Sequence, residues 1–267
     1  MRRNIVELTE LLAELTAPVL RAGELIMAIH ERGADSRVKA DGSPVSEADE
    51  AAEAVLLEAL RAVAPDIPVV SEENAASHAM APPPSFFLVD PIDGTREFLR
   101  TDGNGAFTVN IGLIEDGSPV FGIVHAPARD RFFSGIVGRG AWETSGGVTR
   151  DLAVRPVPDG GPVAMASRSH RDSLTNDWLV QHRITETIST GSSLKFGLLA
   201  AGEADVYPRF GPTMEWDTAA GDAVLRAAGG TAVTPEGAAF TYGKDGYRNG
   251  AFIACAGYRF DPVSRDR

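Results

Sequence analysis

The sequence predicts an α+β fold, with two helices and an antiparallel meander in the first half and a smaller α/β arrangement in the second. Three observations predict it. Apolar residues recur at helical spacing over residues 4–32 and again through "SEADEAAEAVLLEALRAV". Short β-type runs then follow one another with turn residues between them. Beyond the Pro- and Gly-rich stretch "VRPVPDGGP" (154–162), strand-like and helical segments alternate. That stretch is the expected boundary between an N-terminal α+β domain, 1–156, and a C-terminal α/β domain, 157–267.

The first helix carries Ile5, Leu8, Leu12, Leu15, Val19, Ile26 and Ile29 near one face, with Gly33 as its stop. Pro18 lies inside it, lacks an N–H and crowds the preceding turn, so a kink or a division is expected there. In the second helix Ser46 is the expected N-cap, with Asp49 three residues on. The strands are "IPVVS", "FFLVD", "AFTVNIGLI", "PVFGIVHAP" and "RFFSGIV", and "EDGS" (115–118) signals a hairpin. "APPPS" (81–85) is a short rigid linker. In the second half "VAMAS" and "ITETIST" read as strands on either side of a helix over 173–183. "SSLKFGLLAAGEA" is helical and "ADVYPRF" extended. "WDTAAGDAVLRAAGG" is helical with Gly229 and Gly230 as its stop, and "TAVT" and "AFIACA" close the chain as strands.

Of the 267 residues 43% are hydrophobic, enough for a packed core, so global disorder is excluded. Twenty-five basic against 37 acidic residues argue against a nucleic-acid surface. They leave room for an anionic substrate, because a bound divalent cation reverses the sign locally. Cys255 is the one cysteine, so no intrachain disulfide forms and an inert buried thiol is expected. Glu7 and Glu10 interrupt the apolar residues after Arg2 and Arg3, against a signal peptide. No run approaches the roughly 18 apolar residues of a membrane helix. The expectation is a cytoplasmic monomer or homodimer with no integral membrane segment. A peripheral place at the inner face of the cell membrane stays open.

The chemistry is concentrated in "FFLVDPIDGTREF" (86–98). Asp90 falls at the carboxyl end of a strand, where sites in α/β structures gather. Pro91 and the turn after it can aim Asp90 and Asp93 at one point. Two carboxylates that close repel, and one takes up a proton unless a cation sits between them. Hard oxygen ligands suit Mg²⁺, which accepts substrate phosphate oxygens as further ligands. Gly94 lets the backbone approach closely, and the N–H groups of Gly94 and Thr95 can face an anion. Taken alone, D-x-x-D-G is also an ordinary Asp-rich turn. Two more segments shift the balance: "VVSEEN" (69–74) runs a strand into Glu72 and Glu73, and "MEWDTAAGD" (214–222) brings Asp217 to a helix start.

"DPIDGTREF" together with "WDTAAGDAVLRAAGG" resembles the signature pair of the inositol monophosphatase superfamily of Mg²⁺-dependent, lithium-sensitive phosphatases. "SEE", "GSSLKF" and "YPRFGP" are similar to the 3'(2'),5'-bisphosphate nucleotidase branch, over residues 39 to 257. The resemblance implies an αβαβα layered sandwich with the site between the two halves. It implies that Glu72, Asp90 and the Ile92 carbonyl hold one Mg²⁺ and that Asp90, Asp93 and Asp217 hold a second, with two or three ions in all. Glu72 rather than Glu73 is the ligand by alignment of the motif. Thr95 would orient the attacking water with Asp49, for which a capping role competes. Lys39 of "VKADGSP" matches a lysine of a loop near the metals, or is simply solvated. Direct attack by water is expected, with no phosphoenzyme.

For the substrate, relatives specific for inositol place an acid in the segment before "WD", where this chain, with a one-residue difference in loop length, has Arg209 of "YPRFGP". A guanidinium suits a second phosphate and poorly matches a neutral polyol. Lys195, Ser192 at the expected helix N-terminus and His170 of "SRSH" would supplement it, each with an ordinary structural role as the alternative. With Glu72, Ile92, Asp93, Gly94, Thr95 and Asp217 they form the expected binding site. His125 reads as a packed histidine. The implied substrate is a small phosphorylated nucleotide, 3'-phosphoadenosine 5'-phosphate (PAP), which would lose its 3'-phosphate. An inositol, histidinol or sugar phosphatase on the same fold is the nearest alternative. A metal- and anion-binding protein without turnover is the alternative of another class.

Overall fold

The computed structural model describes residues 5–33, 36–38, 44–100, 105–167 and 172–261. Lys39 and His170 lie outside them. The first helix, α1 (Ile5–Arg32), runs unbroken through Pro18, so the expected division does not occur. Leu15, Val19, Ala22 and Ile26 are fully buried on either side of the proline, and their burial outweighs one lost helical hydrogen bond. Strands β1 (Ser36–Val38) and β2 (Pro44–Ser46) form a small antiparallel ribbon. Helix α2 (Glu47–Val63) begins at the expected cap: the Ala48 amide donates to Ser46 Oγ, and the Ser46 amide donates to Asp49 Oδ2 at 2.8 Å.

Strand β3 (Val69–Ser71) pairs in parallel with β4 (Ser85–Asp93). A single-turn helix, α3 (Thr95–Phe98), follows, and then the meander β5 (Thr108–Glu115), β6 (Ser118–Ala126) and β7 (Arg131–Ile136). The β5–β6 turn has both Asp116 and Gly117 at positive φ, as a tight hairpin between right-twisted strands requires. Two further strands, β8 (Gly140–Ser145) and β9 (Val148–Leu152), extend the meander around a Gly146–Gly147 turn. The result is a seven-stranded sheet in the order β3-β4-β5-β6-β7-β8-β9.

The second half contributes β10 (Val163–Ser167), α4 (Ser173–Gln181), β11 (Glu186–Thr190) and α5 (Leu194–Ala200). It continues with β12 (Val206–Arg209), the two-residue strand β13 (Thr213–Met214), a 3₁₀ turn Glu215–Asp217 and α6 (Ala219–Ala227). Strands β14 (Thr231–Val233), β15 (Arg248–Asn249) and β16 (Phe252–Cys255) complete it. A second sheet runs β11-β10-β12-β16-β14, and β13 pairs with β15.

The central strands are buried on both faces, and their residues divide between two cores, which defines the layers. Phe87, Val89, Ile111, Leu113 and Ile123 pack under α1 and α2. Phe86, Leu88, Ile114, Val124 and Phe133 face α5 and α6, which in turn cover Tyr207, Phe252 and Ala254 of the second sheet. Helix α4 packs on that sheet's outer face through Trp178 and Leu179. The order is therefore αβαβα, with α5 and α6 as the middle layer. Among the described residues no helix is long and apolar enough to cross a membrane. Cys255 is buried, and burial pushes its thiol up to about 12. His125 is packed beside Gly23 and Phe132, and burial lowers its pKa.

Helix α6 sits unusually deep because Gly112, Gly122 and Gly135 stand side by side on β5, β6 and β7. A Cβ at Gly122 would lie 2.2 Å from the Ala220 carbonyl oxygen, a backbone atom with no freedom to move aside. Gly122→Ala is expected to cost about 3 kcal/mol through overpacking. In thermal unfolding that is a fall of roughly 6–12 °C for a chain of this size. A fall of under 2 °C would mean that α6 is not held at this depth.

Candidate active site

The parallel strands β3 and β4 end at the same edge of the large sheet, and the amide of Glu72 donates to Val89 O at 3.1 Å. Asp90 is opposite Asn110, and Asp93 is opposite Thr108. Three steps along β4 thus match two along β5, a one-residue bulge in the Pro91–Ile92 step. In a regular strand residues three apart point to opposite faces. The extra residue restores the phase and turns Asp90 and Asp93 to the same side, toward α5 and α6. Gly94, at φ +93°, then makes the left-handed turn into α3.

Glu72, Asp90 and Asp217 bring one carboxylate oxygen each within 4.8 Å of the others, the one grouping of this kind among the described residues. Asp90 is 1% exposed, yet neither of its carboxylate oxygens has a hydrogen-bond partner. Burial raises its pKa well above the usual range, with the charges of Glu72, Asp93, Asp217 and Asp49 adding to the effect. Burial, with Asp93 and Glu72, likewise raises Asp217. A carboxylate cluster built around the orphaned oxygens of Asp90 fits a hard divalent cation, which would supply the missing charge and take those lone pairs.

Asp93 is held differently. Its Oδ2 accepts the amide hydrogen of Ser193, and it is not one of the tight trio. Burial raises it to about 6, against the pull of Lys195 and the Ser193 amide. Ser193 itself is locked by a buried network: its hydroxyl meets Thr108 Oγ1 at 2.7 Å and Asn110 Oδ1 at 2.6 Å. None of these three residues was singled out from the sequence. The available signal was "TVN" on β5, two polar residues at same-face positions before the apolar run "IGLI".

Thr95 Oγ1 lies 3.2 Å from the Ile92 carbonyl and 3.4 Å from Asp49 Oδ1. The same Asp49 accepts the Ser46 hydroxyl and amide at Oδ2, so the capping and site positions coexist in one side chain. Asp217 ends a 3₁₀ turn whose Glu215 is fully buried and accepts from the Gly243 and Lys244 amides and from Lys244 Nζ. Met214 N donates to Asp217 Oδ2 at 2.8 Å. Ser192 is not the N-cap of α5. That position belongs to Ser193, while Ser192 sits at φ +52° and accepts from the Leu194 amide.

Glu72, Asp90, Asp93, Thr95, Ser193 and Asp217 line a cavity of about 570 Å³, within the range of small-molecule sites and far larger than one phosphate. The same wall carries two cations, Lys195, 3% exposed, and Arg209, 7% exposed. Burial lowers Lys195 to about 8, while Asp93 works to keep it charged. Its Nζ donates to Ser192 O at 2.5 Å and lies over the Tyr207 ring. Arg209 donates to the carbonyls of Gly211 and Pro212 at 3.3 and 3.2 Å, which holds its guanidinium at the wall.

The model of the inositol monophosphatase family matches residues 7–259 of this chain. The 3'(2'),5'-bisphosphate nucleotidase CysQ of Shigella flexneri is 46% identical over 211 residues, covering 78% of this chain and 84% of that protein. The crystal structure of CysQ from Bacteroides thetaiotaomicron aligns with a TM-score of 0.77 at 34% identity, over 92% of this chain and 97% of that one. An inositol monophosphatase from Anabaena (Nostoc) sp. PCC 7120 aligns with a TM-score of 0.74 at 25% identity, over 94% and 92% of the two chains. The layered fold and the carboxylate site therefore have a plain classification: the chain belongs to the inositol monophosphatase family. It is, with that family, a phosphoric monoester hydrolase.

Proposed function

We propose that the protein is a Mg²⁺-dependent 3'(2'),5'-bisphosphate nucleotidase that converts PAP to AMP and phosphate. The observation that carries this reading is the buried Arg209 guanidinium in the same cavity as the carboxylate cluster. A substrate with two phosphates can use both kinds of group: one phosphate at the acids, the other at the Arg209 guanidinium. The likeness to CysQ proteins points the same way.

Glu72, Asp90, the Ile92 carbonyl, Asp93 and Asp217 are the residues that would hold two or three Mg²⁺. Bound there, these ions supply positive charge to a phosphate ester and acidify a coordinated water. Thr95 donates its hydroxyl hydrogen toward Asp49 or the Ile92 carbonyl, so its oxygen lone pairs can accept a hydrogen bond from water and orient it. Asp49 is held by Ser46 and keeps the Thr95 hydroxyl in place. Asp93, tied to Ser193, couples the first half of the site to α5 and its Lys195. The backbone amides of Gly94 and Thr95 offer further donors to the scissile phosphate.

A panel of PAP, inositol 1-phosphate, histidinol phosphate and fructose 1,6-bisphosphate, assayed with Mg²⁺, tests the reading. PAP is expected to exceed the others in kcat/KM by at least about 100-fold, near 3 kcal/mol of transition-state binding. Solvent oxygen-18 is expected in the released phosphate, and millimolar Li⁺ is expected to inhibit. Equal turnover of PAP and inositol 1-phosphate would remove the nucleotide assignment.

A further inference from the structure

We propose that His78 is a positioning residue: it ties the segment bearing Glu72 to the segment bearing Asp217 and thereby sets the affinity of the carboxylate cluster for divalent cations. The proposal rests on the metal reading of that cluster. The cluster draws its acids from separate places, the ends of β3 and β4 and the 3₁₀ turn before α6. A cation sees one site only if these segments hold a fixed separation.

His78 touches the residue immediately before each of two ligands. Its Nε2 lies 2.8 Å from the carbonyl of Ser71, the residue before Glu72. A carbonyl only accepts, so Nε2 carries the hydrogen. The imidazole stacks on Trp216, the residue before Asp217, with ring centroids 4.7 Å apart and planes inclined by 24°. Trp216 is 5% exposed and belongs to the core of the middle layer, so it is a firm surface for the ring.

His78 is itself held in place. It lies in the 3₁₀ turn Ala75–Ala79, which folds back on β3: the Ser71 amide donates to Ser77 Oγ, and that hydroxyl donates to Asn74 O at 2.6 Å. From the other side the Tyr247 hydroxyl donates to Met80 O at 2.8 Å. Asp217 is anchored within its own half through Glu215 and through Asn249, which donates to Met214 O. Neither anchor reaches Glu72. The His78 ring spans the gap. A ring and a donor are both needed, and histidine supplies them in one side chain. Groups that orient metal ligands from behind typically change affinity about 10- to 100-fold when removed.

The test compares the unsubstituted protein with His78→Ala, His78→Phe and His78→Gln, using Mn²⁺ binding read from the electron paramagnetic resonance signal of the free ion. Asp90→Asn is the weak-binding reference. His78→Ala is expected to bind Mn²⁺ about 10-fold more weakly, with metal-free unfolding close to that of the parent. Phe keeps the stack and Gln the donor, so each is expected to recover part of the loss. The Mg²⁺ concentration for half-maximal PAP hydrolysis should rise in step, while KM for PAP at saturating Mg²⁺ stays unchanged. Parent-like Mn²⁺ affinity in His78→Ala overturns the proposal while leaving the metal reading intact. If His78→Ala does not fold, parent-like affinity in both conservative variants overturns it equally. Failure of the parent itself to bind Mn²⁺ sinks the metal reading and this proposal together.

Discussion

Asp90→Asn unfolds at a higher temperature than the parent protein when divalent cations are absent, and gains nothing when Mg²⁺ is added. The sign is opposite to that of most changes at buried positions, because the parent carries a buried carboxylate with two unpartnered oxygens among other acids. Replacing the charge with a neutral amide relieves a cost on the order of 1–3 kcal/mol. For a chain of this length that is a rise of roughly 2–12 °C. The same variant should lose about 10³-fold in kcat/KM, about 4 kcal/mol, as expected when one member of a buried charge cluster is removed. The pH dependence follows from the same electrostatics. Asp93 is raised from 3.8 to about 6 in the folded state. A raised acid contributes stability that is fully present below the unfolded value and is lost as pH rises through the folded one. The metal-free parent should therefore lose stability between about pH 4 and pH 6 from this group. Mg²⁺ should restore stability above that range, since protons and cations compete for the same oxygens. Unfolding curves at pH 5 and 8, with Mg²⁺ and with a chelator, check both signs. A destabilised metal-free Asp90→Asn would show that the carboxylate has protein partners after all.

Arg209→Ala should divide the substrates. Hydrolysis of PAP is expected to fall about 100-fold or more in kcat/KM, since a buried guanidinium contacting phosphate contributes roughly 3 kcal/mol. Hydrolysis of a small monophosphate should fall less than 10-fold, because its phosphate occupies the carboxylate cluster. The PAP loss should appear mainly in KM if the distal phosphate is gripped equally in the ground and transition states. The guanidinium also donates to the Gly211 and Pro212 carbonyls, so Arg209→Lys is the informative companion. Lysine keeps the charge but not the planar fork, and should recover only part of the selectivity. Equal losses on both substrates would mean that Arg209 shapes the cavity and does not read a second phosphate.

Much of the fold was legible because its signals are local. The helix of Ile5–Arg32, the Ser46 cap and the Asp116–Gly117 hairpin each depend on residues within a few positions of one another. The β8–β9 hairpin was missed although Gly146–Gly147 between two β-type runs is the same kind of signal. That the helix is not divided at Pro18 was illegible for the opposite reason. Its effect depends on how firmly Leu15, Val19 and Ala22 are buried, which no local rule states.

The sequence by itself determined the inventory of this protein: an acid after each of two strand-like runs, a third acid before a helix, and a cation in "YPRF". These follow from residue identity and short-range periodicity. Only the tertiary structure decided which of them meet. The bulge in the Pro91–Ile92 step turns Asp90 and Asp93 to one side, the Gly112–Gly122–Gly135 row lets α6 approach, and His78 reaches Trp216 from another part of the chain. Each depends on strand register and on contacts between residues far apart in sequence, and those are set by how the layers pack.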